Sequence, residues 1–150
     1  MSREPDFVIA GLSIWVDGPQ TYADGQVDRQ WLEIRAVAEA TGSRIEIAGP
    51  FLRRTDFRHF QKSLMSIHRD LSGAAFLGSM EPALELSVAG DGMGHVNVTL
   101  EITPNYTNQA HRLSWTVDQT ELVEPLKQLY ALVVVATRAV RRVAWTSRVE

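Results

Sequence analysis

Strict alternation of apolar and polar side chains is the feature that most constrains what this chain can fold into. It runs through five segments, which read WLEIRAVA, SRIEIAGPF, PALELSVAG, HVNVTLEIT and HRLSWTVD. Because successive side chains of a β-strand point to opposite faces, each segment predicts a strand with one apolar and one polar face. Such strands are typical of antiparallel sheets that bury one face and leave the other in water.

Two further strands and two connections complete the predicted pattern. FVIAGLSIWV is apolar on both faces, which predicts a first strand that is central or covered. Residues 17–30 contain glycine and proline and predict a long loop, the kind of segment that often carries function. A short strand is predicted near AAFLG. Gly42 joins WLEIRAVA to SRIEIAGPF and predicts a hairpin.

Two segments have the spacing of amphipathic helices. In the first, Thr55 or Asp56 is the expected N-cap, apolar residues recur at intervals of three and four as far as Leu71, and Gly73 is the expected C-cap. The second begins near Thr120. Its middle is apolar on all sides, which predicts burial on more than one side or a contact between subunits.

These elements predict an α+β fold: a mostly antiparallel sheet of about six to seven strands with two helices covering one face. The predicted order is β-β-β-α-(β)-β-β-β-α. Residues 1–150 are expected to form a single domain, because this length is enough for one substantial core. Residues 138–150 contain four arginines and are expected either to extend the last helix or to form a basic tail.

The composition excludes several chemistries. There is no cysteine, so the chain has no disulfide, no thiolate metal site and no cysteine nucleophile. The apolar run near the N-terminus is too short to span a bilayer, and it lacks the pattern of a signal peptide. We therefore expect a cytoplasmic protein without a membrane partner.

The charges are unevenly distributed along the chain. Residues 81–124 hold seven acidic residues and a single basic one, Arg112. A nucleic-acid-binding sheet needs a positive face, so this acidic segment argues against nucleic acid as the partner. The arginines of residues 138–150 suit the negative end of a helix dipole and are most simply solubilising.

The segment GDGMGH admits two interpretations. A phosphate-binding loop places its glycines between a strand and a helix, whereas this segment lies between two alternating strands. A carboxylate would also stand where the phosphate should bind. The sequence therefore favours a structural turn between two strands, formed by Gly90, Asp91, Gly92 and Gly94.

No arrangement of residues predicts catalysis, a cofactor or a metal site. His59 and His68 share a helix at a spacing that puts them on opposite sides. His95 and His111 begin two successive strands, and the hairpin order keeps their ends apart. Neither a G-x-S-x-G motif nor a Walker loop is present. We expect no enzyme, although a deep pocket that combined His95 or His111 with a carboxylate would revive that interpretation.

The polar faces of the predicted strands are the best candidates for binding a partner. They would leave carboxylates, amides and an indole ring in water, and exposed indoles are frequent anchors of protein contacts. The predicted partner-binding residues are Trp31, Glu33, Arg35, Glu46, Glu85, Asn97, Thr99 and Glu101.

Two patterns carry a resemblance to known families. DGMGHVNVTLEI, followed by the strand with Trp115 and by Leu122, resembles an uncharacterised family of small bacterial domains with a D-G-x-G-H-V core. The joint Gly49-Pro50-Phe51 is similar to that of the WapI-type immunity proteins, which neutralise secreted toxins of competing bacteria. The resemblance implies no catalytic residues.

The leading prediction is a non-enzymatic, immunity-like protein that binds a bacterial toxin. An acidic face would suit a basic toxin domain, because opposite charges speed association. The alternative is a homodimeric scaffold joined through the C-terminal helix, or a domain that binds a small ligand.

Overall fold

The computed structural model describes residues 3–78 and 83–134. Within them the chain forms two four-stranded antiparallel meanders, and a helix follows each one. The first meander consists of β1 (Phe7–Ile9), β2 (Leu12–Thr21), β3 (Val27–Ala40) and β4 (Ser43–Arg53), and α1 (Arg54–Asp70) follows it. The second consists of β5 (Ser72–Gly78), β6 (Leu84–Asp91), β7 (His95–Ile102) and β8 (Arg112–Asp118). A 3-10 turn, Gln119–Leu122, then leads into α2, residues 123–134.

The predicted α+β class, the antiparallel strands and the two helices are confirmed, but in the described ranges the strands number eight and form two sheets. One additional strand arises because the apolar run FVIAGLSIWV turns back on itself. Ala10 takes a positive φ of 49°, and Ile9 pairs with Leu12 across the turn. Gly11 is required there, because a Cβ on it would lie 2.1 Å from the carbonyl oxygen of Glu39 and 2.7 Å from the ring of Trp115.

The predicted loop at residues 17–30 is wrong for most of its length. β2 continues to Thr21 and β3 begins at Val27, so residues 22–26 alone connect the strands. Gln20 pairs with Asp28, and Thr21 with Val27. Sequence patterning missed this pairing because the register shifts twice along the hairpin, which interrupts the alternation.

One hydrophobic core joins both sheets and both helices. The alternating apolar residues of each sheet point into it, together with Phe57, Phe60, Leu64 and Ile67 of α1. The edge of one ring meets the face of the other where Phe7 and Phe60 pack at right angles, with centroids 6.0 Å apart. The polar faces of the two sheets therefore point away from a common interior.

The ends of α1 differ by a few residues from the prediction. Arg53 is the N-cap, and Asp56 lies in the first turn, where its carboxylate accepts a 2.7 Å hydrogen bond from the Arg53 backbone N–H. At the other end Leu71 itself takes the left-handed conformation, with φ at 63°, and Gly73 already belongs to β5. The short joint between α1 and β5 forces this turn onto Leu71 instead of the glycine.

The second helix begins close to the predicted position. Asp118 caps the 3-10 turn by accepting from the Thr120 backbone N–H at 2.9 Å, and Leu122 and Leu129 are buried. Gln128 accepts a 2.8 Å hydrogen bond from the backbone N–H of Val8, which ties α2 to the first sheet. Residues 138–150 lie outside the described residues, so the basic tail and the helix-mediated homodimer stay predictions. In the described ranges no helix combines the length and apolarity needed to cross a membrane.

Candidate functional site

The structure divides the eight predicted partner-binding residues between two surfaces. The first outer face is the solvent side of β1–β4, and the second outer face is the solvent side of β5–β8. Each residue alternates along its strand with buried neighbours and is exposed or half-buried. The first outer face carries Trp31, Glu33, Arg35 and Glu46, and the second carries Glu85, Asn97, Thr99 and Glu101.

Side chains on the first outer face mostly contact one another. The guanidinium of Arg35 lies 4.0 Å above the ring of Trp15, its cross-strand partner, and 3.6 Å from the carboxylate of Glu46. Arg44 bridges Glu46 and Glu39, at 3.2 Å from each. The charges at the centre of this face are therefore compensated within the chain.

Trp31 is held in a similar way at the end of the same face. The guanidinium of Arg53 lies 5.4 Å from the centre of the Trp31 ring and 3.2 Å from Asp56. The indole is half-buried, so it is less available as an anchor than the sequence suggested. Glu33 pairs with Gly18 across the strands, and no ion pair joins it to another described residue.

The centre of the second outer face consists of small neutral side chains. Ser87, Thr99 and Ser114 lie side by side on three adjacent strands. In the next row Asn97 accepts a hydrogen bond from the hydroxyl of Thr116 at 3.1 Å. A shallow, open depression lies over this part of β7 and β8. Hydroxyl and amide groups there can both donate and accept hydrogen bonds to a docked surface.

Two carboxylates oppose each other at one end of the second outer face. Glu85 and Glu101 are direct cross-strand partners, and Arg112 follows next to Glu101 on β8. Among the ion pairs of the described residues, none includes Glu85, Glu101 or Arg112. Like charges directly opposite each other destabilise a sheet, and Arg112, opposite Glu101, offsets only one of the two carboxylates, so this end of the face carries a net negative charge.

Sequence reasoning missed one residue of this surface, Phe76. Its side chain is 53% exposed, and it occupies the position on β5 opposite Ser87. The ring lies along the strand over Gly78, where an added Cβ would come within 2.8 Å of it. The signal was present in the sequence, because alternation with the buried Ala75 and Leu77 puts Phe76 on the outer face.

GDGMGH forms the turn between β6 and β7. Gly92 and Gly94 take positive φ values of 84° and 99°. Gly90 lies close to the end of α1, where a Cβ on it would be 2.4 Å from the carbonyl oxygen of Leu71. That carbonyl also accepts a 2.8 Å hydrogen bond from the Gly92 backbone N–H. Each glycine thus has a structural reason to be there.

The carboxylate of Asp91 fills the concave side of this turn. It accepts from the backbone N–H groups of Met93, at 2.7 Å, and His95, at 3.1 Å. The N–H of Met93 is the main cause that lowers the pKa of Asp91. The amides that would hold a phosphate already bind this carboxylate, so the turn offers an anion no free cradle.

The histidines do not converge. His95 pairs with Asp118 at one end of the β7–β8 pair, whereas the carbonyl oxygen of His111 accepts from Ile102 at the other end. Over residues 3–78 and 83–134 there is no group of three or more His, Asp or Glu side chains that could hold a metal ion.

Comparisons with known proteins identify the family. A family model described as the immunity protein WapI-like family matches residues 7–134. No curated protein matches the chain. The resemblance at Gly49-Pro50-Phe51 is confirmed at the level of the family, while the D-G-x-G-H-V resemblance stays a prediction.

Two solved structures are remotely similar. A chain of the CdiA-CT/CdiI toxin and immunity complex from Enterobacter cloacae shares 12% identity, with 80% of this chain and 99% of that chain covered and a TM-score of 0.43. The plant transcriptional regulator PBF-2 shares 15% identity over 93% of this chain and 81% of that chain, with a TM-score of 0.48. Neither score is high enough to inform function. The match to the family model covers most of the sequence, and on that basis the chain belongs to the WapI-like immunity protein family.

Proposed function

We propose that this protein is a cytoplasmic immunity protein that binds a bacterial toxin and neutralises it by covering it, without catalysis of its own. Membership of the WapI-like immunity family over residues 7–134 is the observation that carries the proposal. The second outer face supports it, because Glu85 and Glu101 form no ion pair with another described residue and the Phe76 ring is exposed, and exposed apolar groups often mark binding surfaces.

The second outer face is the proposed docking surface. Phe76 offers an aromatic anchor, and Asn97 and Thr99 offer hydrogen-bonding groups at the centre. Glu85 and Glu101 lie at the rim. Phe76 lies on the edge strand β5 of this face, and aromatic side chains are enriched in protein interfaces. These side chains project from paired strands, so little conformational entropy is lost when a partner docks.

The proposed toxin presents a basic surface to this face. Glu85 and Glu101 repel each other in the free protein, and a lysine or arginine placed between them would remove the repulsion. Opposite charges at an interface chiefly accelerate association and select the partner.

Residues of the first outer face are secondary candidates for contact. Arg35 would have to leave both Trp15 and Glu46 before it could bind a partner, and Trp31 would have to leave Arg53. Glu33, which forms no ion pair with another described residue, is the more accessible group, whereas Arg35 and Arg44 engage the two oxygens of Glu46. We propose that these side chains mainly stabilise the first sheet.

Charge reversal on each face tests the proposal. The partner is the toxin encoded by the adjacent reading frame, and its association rate is measured by surface plasmon resonance at low salt. Glu85→Lys combined with Glu101→Lys is expected to slow association roughly tenfold or more. The matched control, Glu33→Lys with Glu46→Lys, changes the net charge equally but is expected to alter the rate much less.

An unchanged rate in the first double variant, with circular dichroism showing an intact fold, would reject the docking surface. A neighbouring gene without a toxin domain would instead favour the scaffold interpretation.

A further inference from the structure

β8 is the strand whose apolar side is least covered. In every other strand of the described chain at least some residues are fully buried, but β8 has none. Leu113, Trp115 and Val117 point towards the core and are only half-buried, whereas Val98 and Leu100 on the adjacent strand are completely buried. The inward row of β8 is therefore packed against the core only in part.

Hydrogen bonds at the two ends of the β7–β8 pair show how its ladder runs. Gln119 donates to the carbonyl oxygen of Gly94 at 2.8 Å, and Ile102 donates to that of His111 at 3.2 Å. In an antiparallel pair, hydrogen-bonded positions alternate with positions that make no bond. Because the register of β7 with β8 is unbroken, the odd-numbered residues of β8 bond to β7 and the even-numbered residues do not.

The even-numbered residues consequently direct their backbone groups to the open edge. Arg112, Ser114 and Thr116 present both N–H and C=O there. The N–H of Asp118 is occupied, since it donates to the carboxylate of Glu121 at 2.7 Å. An edge with such unpaired groups is a template for another strand.

The other sheet edges have features that discourage pairing. β1 has three residues, β4 contains Pro50 and a register shift against its neighbour, and β5 has a glycine near each end and packs beside α1. β8 lacks such protection: it has no proline, no bulge and no charge between Leu113 and Val117. Its central residues also favour the β conformation.

We infer that β8 pairs antiparallel with β8 of a second copy of this chain, with the two-fold axis at Trp115. In this register Ser114 lies opposite Thr116 of the other copy, and both are residues with free backbone groups. On the inward side Leu113 lies opposite Val117, and the two Trp115 rings meet at the axis. The half-exposed apolar row would thus gain the neighbours that it lacks.

Charge selects this register over its alternatives. Arg112 and Asp118 stand at opposite ends of β8, equally far from Trp115 and on the same outer face. Pairing about Trp115 therefore puts each arginine opposite an aspartate, twice per dimer, and a shift in either direction loses both pairs. The backbone N–H of Thr120 is the main cause that lowers the pKa of Asp118, so this carboxylate remains charged.

The Trp115 ring also packs within its own chain. It lies against the turn at Gly11, where even a Cβ would meet the ring at 2.7 Å. The resulting dimer has one continuous sheet of β5–β8 from both copies. Glu85 and Glu101 lie on β6 and β7, outside the contact between the two β8 strands. This dimer also differs from the one predicted through the C-terminal helix.

Sedimentation velocity on the full chain at micromolar concentrations tests the inference without any toxin. The wild type is expected to sediment as a dimer and Thr116→Pro as a monomer. Proline removes an outward N–H that β7 does not use, so the fold should survive. Thr116→Ala is the matched control: it loses the same hydrogen bond to Asn97 but keeps the N–H, and it should remain a dimer.

Arg112→Glu is a second test that leaves the backbone unchanged. It places like charges opposite each other twice, so the dissociation constant of the dimer is expected to rise roughly tenfold. If the wild type stays monomeric, the inference is wrong, and the open edge of β8 would be available to a strand of a different protein. A folded Thr116→Pro that dimerises like wild type overturns the inference as well. Neither result bears on toxin binding, which is measured separately.

Discussion

The two outer faces belong to sheets of the same topology, but they differ in how their charged side chains are paired. Each covers a four-stranded antiparallel meander that is followed by a helix. On the first face the arginines find partners nearby: Arg35 has Trp15 and Glu46, and Arg44 has two carboxylates. On the second face the two carboxylates of Glu85 and Glu101 lie directly opposite each other on adjacent strands.

This difference suggests that the two sheets have different roles, a division of labour in which the outer face of the first mainly stabilises the fold and that of the second is the easier to cover. Compensated charges and stacked rings stabilise the surface that carries them, and they make it costly to desolvate for a partner. When a partner covers a face with small hydroxyls, one exposed aromatic ring and repelling carboxylates, the change in free energy is more favourable. The second sheet is therefore the half of the molecule that can exchange water for a partner at the lower cost.

The largest expected difference between the faces is in the stability that their central side chains provide. Arg35→Ala removes a cation–π contact and an ion pair at a site 36% exposed. We expect it to lower the free energy of unfolding by about 1 kcal/mol. Thr99→Ala, at the centre of the second face, is expected to change it by less than about 0.5 kcal/mol. Urea unfolding measures both, and equal losses would contradict the division of labour.

A smaller effect with opposite signs is expected when one carboxylate on each face is neutralised. Glu85→Gln relieves repulsion from Glu101, leaves Glu101 opposite Arg112, and should raise the free energy of unfolding by about 0.5 kcal/mol. Glu46→Gln weakens its pairs with Arg35 and Arg44 and should lower it by about as much. Both effects should nearly vanish in about 1 M salt, where charges on the surface are screened. Changes of the same sign, or changes that persist in high salt, would refute this account.

The sequence was sufficient for the alternating strands, their faces and the stripe of α1, because these depend on local periodicity, but it missed β1 and the extension of the β2–β3 hairpin. It did not reveal the division into two sheets, which depends on which strands pair. Gly11 illustrates the limit: it is needed because Trp115, far away in the chain, packs against it. The turn at Ala10 lacks the usual turn residues, so the first apolar run looked like a single strand.

The candidate surface was predictable in part for the same reason. Alternation correctly places Glu85, Asn97, Thr99 and Glu101 on an outer face, and it would also have placed Phe76 there. The engagement of Arg35 with Trp15 could not be predicted, because it depends on the register between β2 and β3. The difference in charge pairing between the two faces was therefore visible only in the structure.

The smallest expected effect concerns the hairpin turns of the two sheets. In the second sheet Asp91 fills the β6–β7 turn, and the N–H of Met93 is the main cause that lowers its pKa. A carboxyl with a lowered folded-state pKa stabilises the protein above its unfolded pKa, and this contribution is lost as the pH falls through the folded value. In the first sheet Gly42 turns the β3–β4 hairpin through open space, with no carboxylate hydrogen-bonded to this turn in the described chain.

Asp91→Asn isolates the charge in this turn, because asparagine keeps an acceptor oxygen but does not titrate. The wild type should be more stable than the variant near pH 6, and the difference should shrink below about pH 4. Asp118, whose pKa is also lowered, titrates in both proteins. Urea midpoints at a series of pH values measure the effect. A difference that stays constant down to pH 2 would mean that the turn depends on the shape of Asp91 and not on its charge, and the two hairpins would then be alike.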